Sequence, residues 1–156
     1  MSSPDELRGR SKPKGDAMSR TLAIIKPDAV AAGKAGRILT RLEDEGFELL
    51  GARLLRLTEA EAGAFYAVHR ERPFYESLKR FMSSGPILVL ALEREDAVPL
   101  LREVIGSTDP AEADPGTIRA EHAESKERNA IHASDAAETA GREIGFFFSE
   151  RELLGG

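Results

Sequence analysis

Ile87-Leu88-Val89-Leu90-Ala91-Leu92 is an unbroken apolar run, entered through the turn residues Ser84-Gly85-Pro86. Six residues suit a strand better than a helix, and an all-apolar strand belongs in the middle of a sheet. Outward from it lie companions of the same kind. Thr21-Leu22-Ala23-Ile24-Ile25 stops at Lys26-Pro27-Asp28, where proline ends a buried strand. Phe47 to Leu57 reads as another strand, and Gly51 inside it marks a bulge or bend. Ala130 and Ile131 suit a brief strand that leads into His132.

Helical patterns fill the intervals. One runs from Ala35 to Glu45, with Ile38, Leu39 and Leu42 inward and Gly46 as its stop. Thr58-Glu59-Ala60-Glu61 has the spacing of a capping box, and Ala62, Phe65 and Tyr66 follow on one face. Pro73 ends that helix, and a further piece covers Phe74 to Met82. Glu95 to Ile105 is helical with Pro99 in its first turn, and Gly106 closes it. Residues 107–120 read as a long loop, and a loop of that length is often functional. Asp135-Ala136-Ala137-Glu138 predicts a last helix with Asp135 as N-cap and a Glu138–Arg142 pair on its surface. Phe146 to Phe148 is an apolar strip. This order predicts an α/β (α+β) sandwich with a mainly antiparallel sheet and helices on one face.

Composition narrows the class. The chain has 156 residues, 41% hydrophobic and 31% charged, which suits one soluble domain. No apolar run is long enough to cross a membrane. Cysteine is absent, so disulfides and thiolate metal sites are excluded, and a reducing, cytoplasmic setting is expected. The net charge of −5 disfavours a broad nucleic-acid footprint. Residues 1–20 hold Ser, Pro, Gly and charge without periodicity and are expected to be a disordered tail. They lack the apolar core of a signal peptide. Residues 21–154 form the expected domain. An anion site in so acidic a chain must be a local cluster of donors.

Only three histidines are present: His69, His122 and His132. No close histidine pair suggests zinc. His69 and His122 lie in charged stretches and read as solvated. His132 sits between an apolar strand and a helix start. Such a residue is more often structural than catalytic, but its neighbours admit a second reading. A nucleophilic imidazole must be neutral, with an acceptor fixing the other ring nitrogen. Glu143 supplies that acceptor if the last helix folds back, and Ser134 can orient the carboxylate. Phosphoryl transfer also needs cations and donors around the phosphate oxygens. Lys26, Arg102, Thr108, Arg119 and Asn129 are candidates, each with an ordinary structural reading of its own. Neither common Gly-rich phosphate cradle occurs, so a nucleotide site here is built from side chains.

Taken together, Ala23-Ile24-Ile25-Lys26-Pro27-Asp28, Phe65-Tyr66, Arg72-Pro73-Phe74-Tyr75, Ser84-Gly85-Pro86, Gly106-Ser107-Thr108-Asp109-Pro110, Pro115-Gly116-Thr117-Ile118-Arg119 and Arg128-Asn129-Ala130-Ile131-His132-Ala133-Ser134-Asp135 resemble the nucleoside diphosphate kinases. The likeness runs from Thr21 to Leu154. It implies a ferredoxin-like sandwich, a mainly antiparallel four-stranded sheet covered by helices. It implies ping-pong transfer of a γ-phosphoryl group between nucleoside tri- and diphosphates, with broad base and sugar tolerance. His132 would be phosphorylated on Nδ1. Glu143 and Ser134 would orient it, and Tyr66 would lie close by. Lys26, Arg102, Thr108, Arg119 and Asn129 would contact phosphates or ribose, and Phe74 would stack on the base. Mg2+ would be held largely by the nucleotide's phosphates, with Asp135 nearby and reaching it through water. A homo-tetramer or homo-hexamer is implied as the assembly. Ala29 and Ala133 stand where the family usually has glycine. If the backbone after His132 needs positive φ, alanine there costs about 1 kcal/mol. His122 and Lys126 replace residues that are usually aromatic and apolar. A non-catalytic nucleotide-binding scaffold and an RNA-binding domain are the competing classes. The joint presence of His132, Lys26, Arg119, Asn129 and Glu143 weighs against the first, and net acidity against the second.

Overall fold

The computed structural model describes residues 18–153. Four strands form one antiparallel sheet: β1 (Met18–Ile25), β2 (Glu48–Leu55), β3 (Ile87–Glu95) and β4 (Ile131–Ala133). Their order is β2-β3-β1-β4, the arrangement of a ferredoxin-like sandwich. The apolar run Ile87 to Leu92 is therefore an inner strand, paired with β1 in the register Leu22↔Ala91 and Ile25↔Leu88.

The helices cover both faces of the sheet, not one. Leu22, Ile24, Val89 and Ala91 pack with α3 (Glu59–Phe65), α4 (Tyr75–Met82) and α7 (Ala137–Phe147) through Phe65, Phe81 and Phe147. Ala23, Ile25, Leu90 and Leu92 pack on the opposite side, with α2 (Ala35–Asp44) and α5 (Ala97–Ile105) through Ile38, Leu42, Leu101 and Ile105. The reason is written in β1 and β3 themselves. A strand with one wet face alternates apolar with polar, whereas Leu22 to Ile25 and Ile87 to Leu92 are apolar at every step. Each fully buried Leu or Ile is worth about 1.5–3 kcal/mol, so a bare second face would be costly.

Several boundaries move from their sequence-based positions. β1 begins at Met18, inside the stretch expected to be tail, because Met18, Ser19 and Arg20 pair with Glu95, Arg94 and Glu93. Arg20 also lies 3.6 Å from Glu93. These polar residues give no hydrophobic signal, and backbone pairing carries them into the sheet. The remainder of the expected tail, residues 1–17, and Leu154 lie outside the described residues. Glu95 ends β3 instead of starting the next helix, since Asp96 turns the chain at φ 51 before α5. The bulge expected at Gly51 is present: the β2–β3 register shifts between Leu49 and Gly51. A side chain at Gly51 would press within 2.9 Å of the Phe148 ring.

The capping box at Thr58 is formed, with Glu61 N–H donating to Thr58 Oγ1 at 3.0 Å and Thr58 N–H to Glu61 Oε1 at 2.8 Å. At the last long helix the cap differs from expectation. Ala136, not Asp135, is the N-cap of α7; its N–H donates to Thr139 Oγ1, which in turn donates to Asp135. Among the described residues Arg142 approaches Glu143, at 3.9 Å, and not Glu138. The apolar strip 146–148 is the end of α7 and its cap, and α8 (Glu150–Leu153) follows. The long loop is not structureless. Thr117 caps the short helix α6 (Ile118–His122), accepting from Ala120 N–H at 3.3 Å. No helix among the described residues is long and apolar enough to cross a membrane.

Candidate active site

The site forms where β1 and β4 end side by side. Ile24 pairs with His132, so the end of an inner strand fixes the histidine's backbone. The chain then leaves β1 as Lys26 and enters α1 (Pro27–Ala31). Beyond β4, α7 packs back across β1 and returns Glu143 to His132. The imidazole Nε2 lies 2.8 Å from Glu143 Oε1, and Ser134 Oγ donates to that same oxygen at 2.7 Å. A carboxylate only accepts, so Nε2 carries the proton and Nδ1 keeps its lone pair.

A cleft of about 620 Å³ opens onto this histidine. It is lined by Lys26, Tyr66, Phe74, Arg102, Thr108, Arg119, Asn129, His132, Asp135 and Glu143. Ser134 is fully buried behind the wall, where it holds Glu143. Residues from six separate parts of the chain are thus brought to one cleft. The rings of Phe65 and Tyr66 meet the imidazole edge-on at 5.4 and 5.7 Å. Phe74 is 46% exposed at the cleft, a free aromatic face.

Burial sets the electrostatics. Desolvation lowers the His132 pKa; the Glu143 hydrogen bond and charge oppose the shift, while Lys26 and Arg119 reinforce it. The ring is therefore neutral at neutral pH. Desolvation pushes the Glu143 carboxyl up, but the bonds from His132 and Ser134 and the charge of Arg142 outweigh it and hold the carboxyl low. Burial, with Arg119 adding to it, brings Lys26 down to about 8. Burial followed by the charge of Arg102 lowers Arg119 to about 10. Asp28 and Glu127 favour the charged form of Lys26 without outweighing burial and Arg119, and two cations held so close together form a local site for an anion. Tyr66 is pushed up, first by burial and then by the Glu143 charge, and so stays a neutral hydroxyl. The Asp135 carboxyl is held low, chiefly by the Thr139 hydroxyl.

Unmatched polar atoms point the same way. Tyr66 Oη, Arg119 Nε and Asn129 Oδ1 are buried with no hydrogen-bond partner among the described residues. Buried polar groups are normally paired, so three orphans around one cleft mark a place for a polar ligand. The rest of each side chain is anchored. Arg119 donates to the carbonyls of Gly106 (3.1 Å) and Ile131 (2.7 Å), and Asn129 to those of Thr108 (3.2 Å) and Lys126 (2.9 Å).

Some expectations change here. Ala133 lies in β4, and among the described residues the positive-φ positions other than glycine are Asp96 and Ala130. The left-handed backbone thus falls two residues before the histidine, not directly after it. Ala29 is buried inside α1. His69 is not simply solvated: it lines the cleft, 5.4 Å from Phe74 and 6.4 Å from Tyr66. The Tyr66, His69, Phe74 series on the Pro73 side of a helix was the available signal. Lys126 also lines the cleft, and its ammonium lies 4.0 Å from Asp109. His122 is partly buried, its pKa lowered by desolvation and then by Lys34.

The fold and the cleft define an antiparallel α/β sandwich with a cationic pocket closing on a carboxylate-bound histidine. The model of the nucleoside diphosphate kinase family matches residues 19–153. A nucleoside diphosphate kinase from Dechloromonas aromatica is 55% identical over 132 residues, covering 85% of this chain and 93% of that protein. One from Desulfatibacillum aliphaticivorans is 54% identical, covering 88% and 100%. The solved Aquifex aeolicus nucleoside diphosphate kinase is 50% identical with a TM-score of 0.86, covering 88% of this chain and 99% of that one. The Halobacterium salinarum nucleoside diphosphate kinase, solved in complex with CDP, is 38% identical with a TM-score of 0.84, covering 88% and 91%. The chain belongs to the nucleoside diphosphate kinase family.

Proposed function

We propose that this chain transfers the γ-phosphoryl group of a nucleoside triphosphate to a nucleoside diphosphate through phosphorylated His132. The observation that carries the site assignment is the 2.8 Å contact between Glu143 Oε1 and His132 Nε2, which leaves Nδ1 as the free nucleophile. Its lone pair forms a bond to the γ-phosphorus while the bond to the β–γ bridging oxygen breaks. That electron pair leaves with the nucleoside diphosphate. No base is required, because the proton stays on Nε2. The positive charge arising on the ring is offset by Glu143, held in place by Ser134 and His132. Lys26, Arg102 and Arg119 stabilise charge on the transferring group, and Thr108 and Asn129 position phosphate or ribose. Tyr66 presents its hydroxyl beside the ring, and Phe74 stacks on the base. Stacking on one exposed ring reads no base edge, which supports tolerance of the four bases. A second diphosphate enters the vacated cleft and reverses the step.

Among the described residues no group of three or more His, Asp or Glu could hold a metal ion. The donor set nevertheless fits Mg2+ carried by the nucleotide, and Asp135, an exposed, ionised carboxylate lining the cleft, would hold it through water. Bound in that way, Mg2+ neutralises charge on the phosphate oxygens. A homo-tetramer or homo-hexamer and a cytoplasmic setting complete the proposal; the cysteine-free composition supports the latter. Initial-rate kinetics with ATP and a second nucleoside diphosphate test the cycle. Parallel double-reciprocal lines are expected, and intersecting lines would exclude the two-step route.

A further inference from the structure

Between Asn129 and His132 the backbone makes a turn that an alanine rarely makes. Ala130 has φ 74, and Ile131 N–H donates to Asn129 carbonyl oxygen at 2.8 Å. An i→i+2 bond around a positive-φ residue is a γ-turn of the rare, strained hand. No glycine relieves it, and Ala130 is completely buried. Such strain persists only where the surroundings impose it. Here the imposing group is Asp28, whose carboxylate accepts from Ala130 N–H at 3.1 Å. Lys26 N–H donates to the Ala130 carbonyl at 2.8 Å, so the same short stretch grips the residue from both sides. Asp28 is 4% exposed, and its second oxygen has no hydrogen-bond partner among the described residues. A buried carboxylate with one bond is costly unless it serves something.

We propose that Asp28 is a positioning residue: it clamps Ala130 in the left-handed turn that aims Asn129 and His132 into the cleft. Asn129 precedes the turn and Ile131 and His132 follow it, so relaxation of Ala130 to an ordinary φ would rotate one against the other. Asp28 also lies close enough to favour the charged form of Lys26, which binds the clamp's alignment to the cation of the same cleft. The inference rests on the phosphohistidine reading above.

The test is a double-mutant cycle between Asp28 and Ala130, read as the single-turnover rate of His132 phosphorylation by ATP. Asp28→Ala should slow that step by about a hundredfold, the effect of misplacing a reacting group by about an ångström. Ala130→Gly, which takes up positive φ freely, should return about tenfold of that loss. Asp28→Asn, whose amide oxygen still accepts from Ala130, should rescue most of the rate. Equal slowing in Asp28→Ala with and without Ala130→Gly, in folded protein, would overturn the clamp. So would an unchanged rate in Asp28→Ala. If Asp28→Ala does not fold, Asp28→Asn decides: a rate retained to within about fivefold supports the clamp, and a larger fall contradicts it. Absence of phosphohistidine in the parent protein would instead defeat the underlying reading, so the two failures are distinct.

Discussion

Replacing Glu143 by alanine removes one oxygen on which two buried donors depend. His132 Nε2 and Ser134 Oγ lie 2.8 and 2.7 Å from Glu143 Oε1, and Ser134 is fully buried. Each orphaned donor costs about 1–3 kcal/mol. The carboxylate itself is 9% exposed, so little water can replace it. Destabilisation of about 2–4 kcal/mol follows, or a Tm lower by roughly 5–15 °C for a domain of this size. The kinetic effect should be separate and larger than the stability loss explains. Without Glu143 the ring is free to rotate, and the charge formed on it during transfer has no counter-charge. A fall of about 10²-fold in single-turnover phosphorylation is expected. Glu143→Gln keeps an oxygen for both donors and loses only the charge, so about tenfold is expected with little change in Tm. Rapid quench into alkali measures the rate, calorimetry the Tm, and 31P NMR the attachment atom. Phosphate on Nε2 in the parent protein, or a Glu143→Ala rate within twofold of the parent, would refute the reasoning.

The pH profile of kcat/KM should be a bell. Lys26 in the free protein is charged below about 8 and neutral above, so phosphate capture weakens as pH rises past that value. His132 must be neutral, and its pKa lies below the ordinary histidine value, so the acid limb should fall below pH ~6.5. A bound polyphosphate raises the Lys26 pKa, so the alkaline limb of kcat should lie higher than that of kcat/KM; coincident limbs would contradict the role of Lys26. Phe74→Ala should raise KM for every nucleotide by about tenfold while leaving Tm within experimental error, since the ring is half exposed and packs little; a loss for one base only would contradict simple stacking. Ala130→Gly should raise stability by about 1 kcal/mol by relieving positive φ, while Ala133→Gly should lower it by a similar amount in its extended strand. Denaturant unfolding distinguishes these signs, and equal signs would contradict the backbone assignment.

The contrast between Ala130 and Ala133 shows where sequence reading stops. Ile87 to Leu92 and Leu22 to Ile25 announce inner strands because every side chain is apolar. The same fact implies cover on both faces, which helix spacing alone did not disclose. Chemical residue types marked the cleft: each candidate ligand from Lys26 to Glu143 lines it or backs it. What remained hidden depends on tertiary hydrogen bonds between distant residues. Asp28 holds Ala130 from across the chain, and no local pattern signals a strained alanine. His69 looked solvated because its neighbours are charged, yet Tyr66 and Phe74 draw its ring to the cleft. Helix α6 is too short for periodicity, and its one legible sign is the Thr117 cap.

His132 is the proposed carrier of the phosphoryl group between nucleotides. Brief incubation with γ-labelled ATP and Mg2+, without acceptor, tests it most directly. One acid-labile, alkali-stable label per chain is expected, lost in His132→Ala and released onto added GDP. A label that survives His132→Ala, or one that GDP cannot discharge, would contradict it.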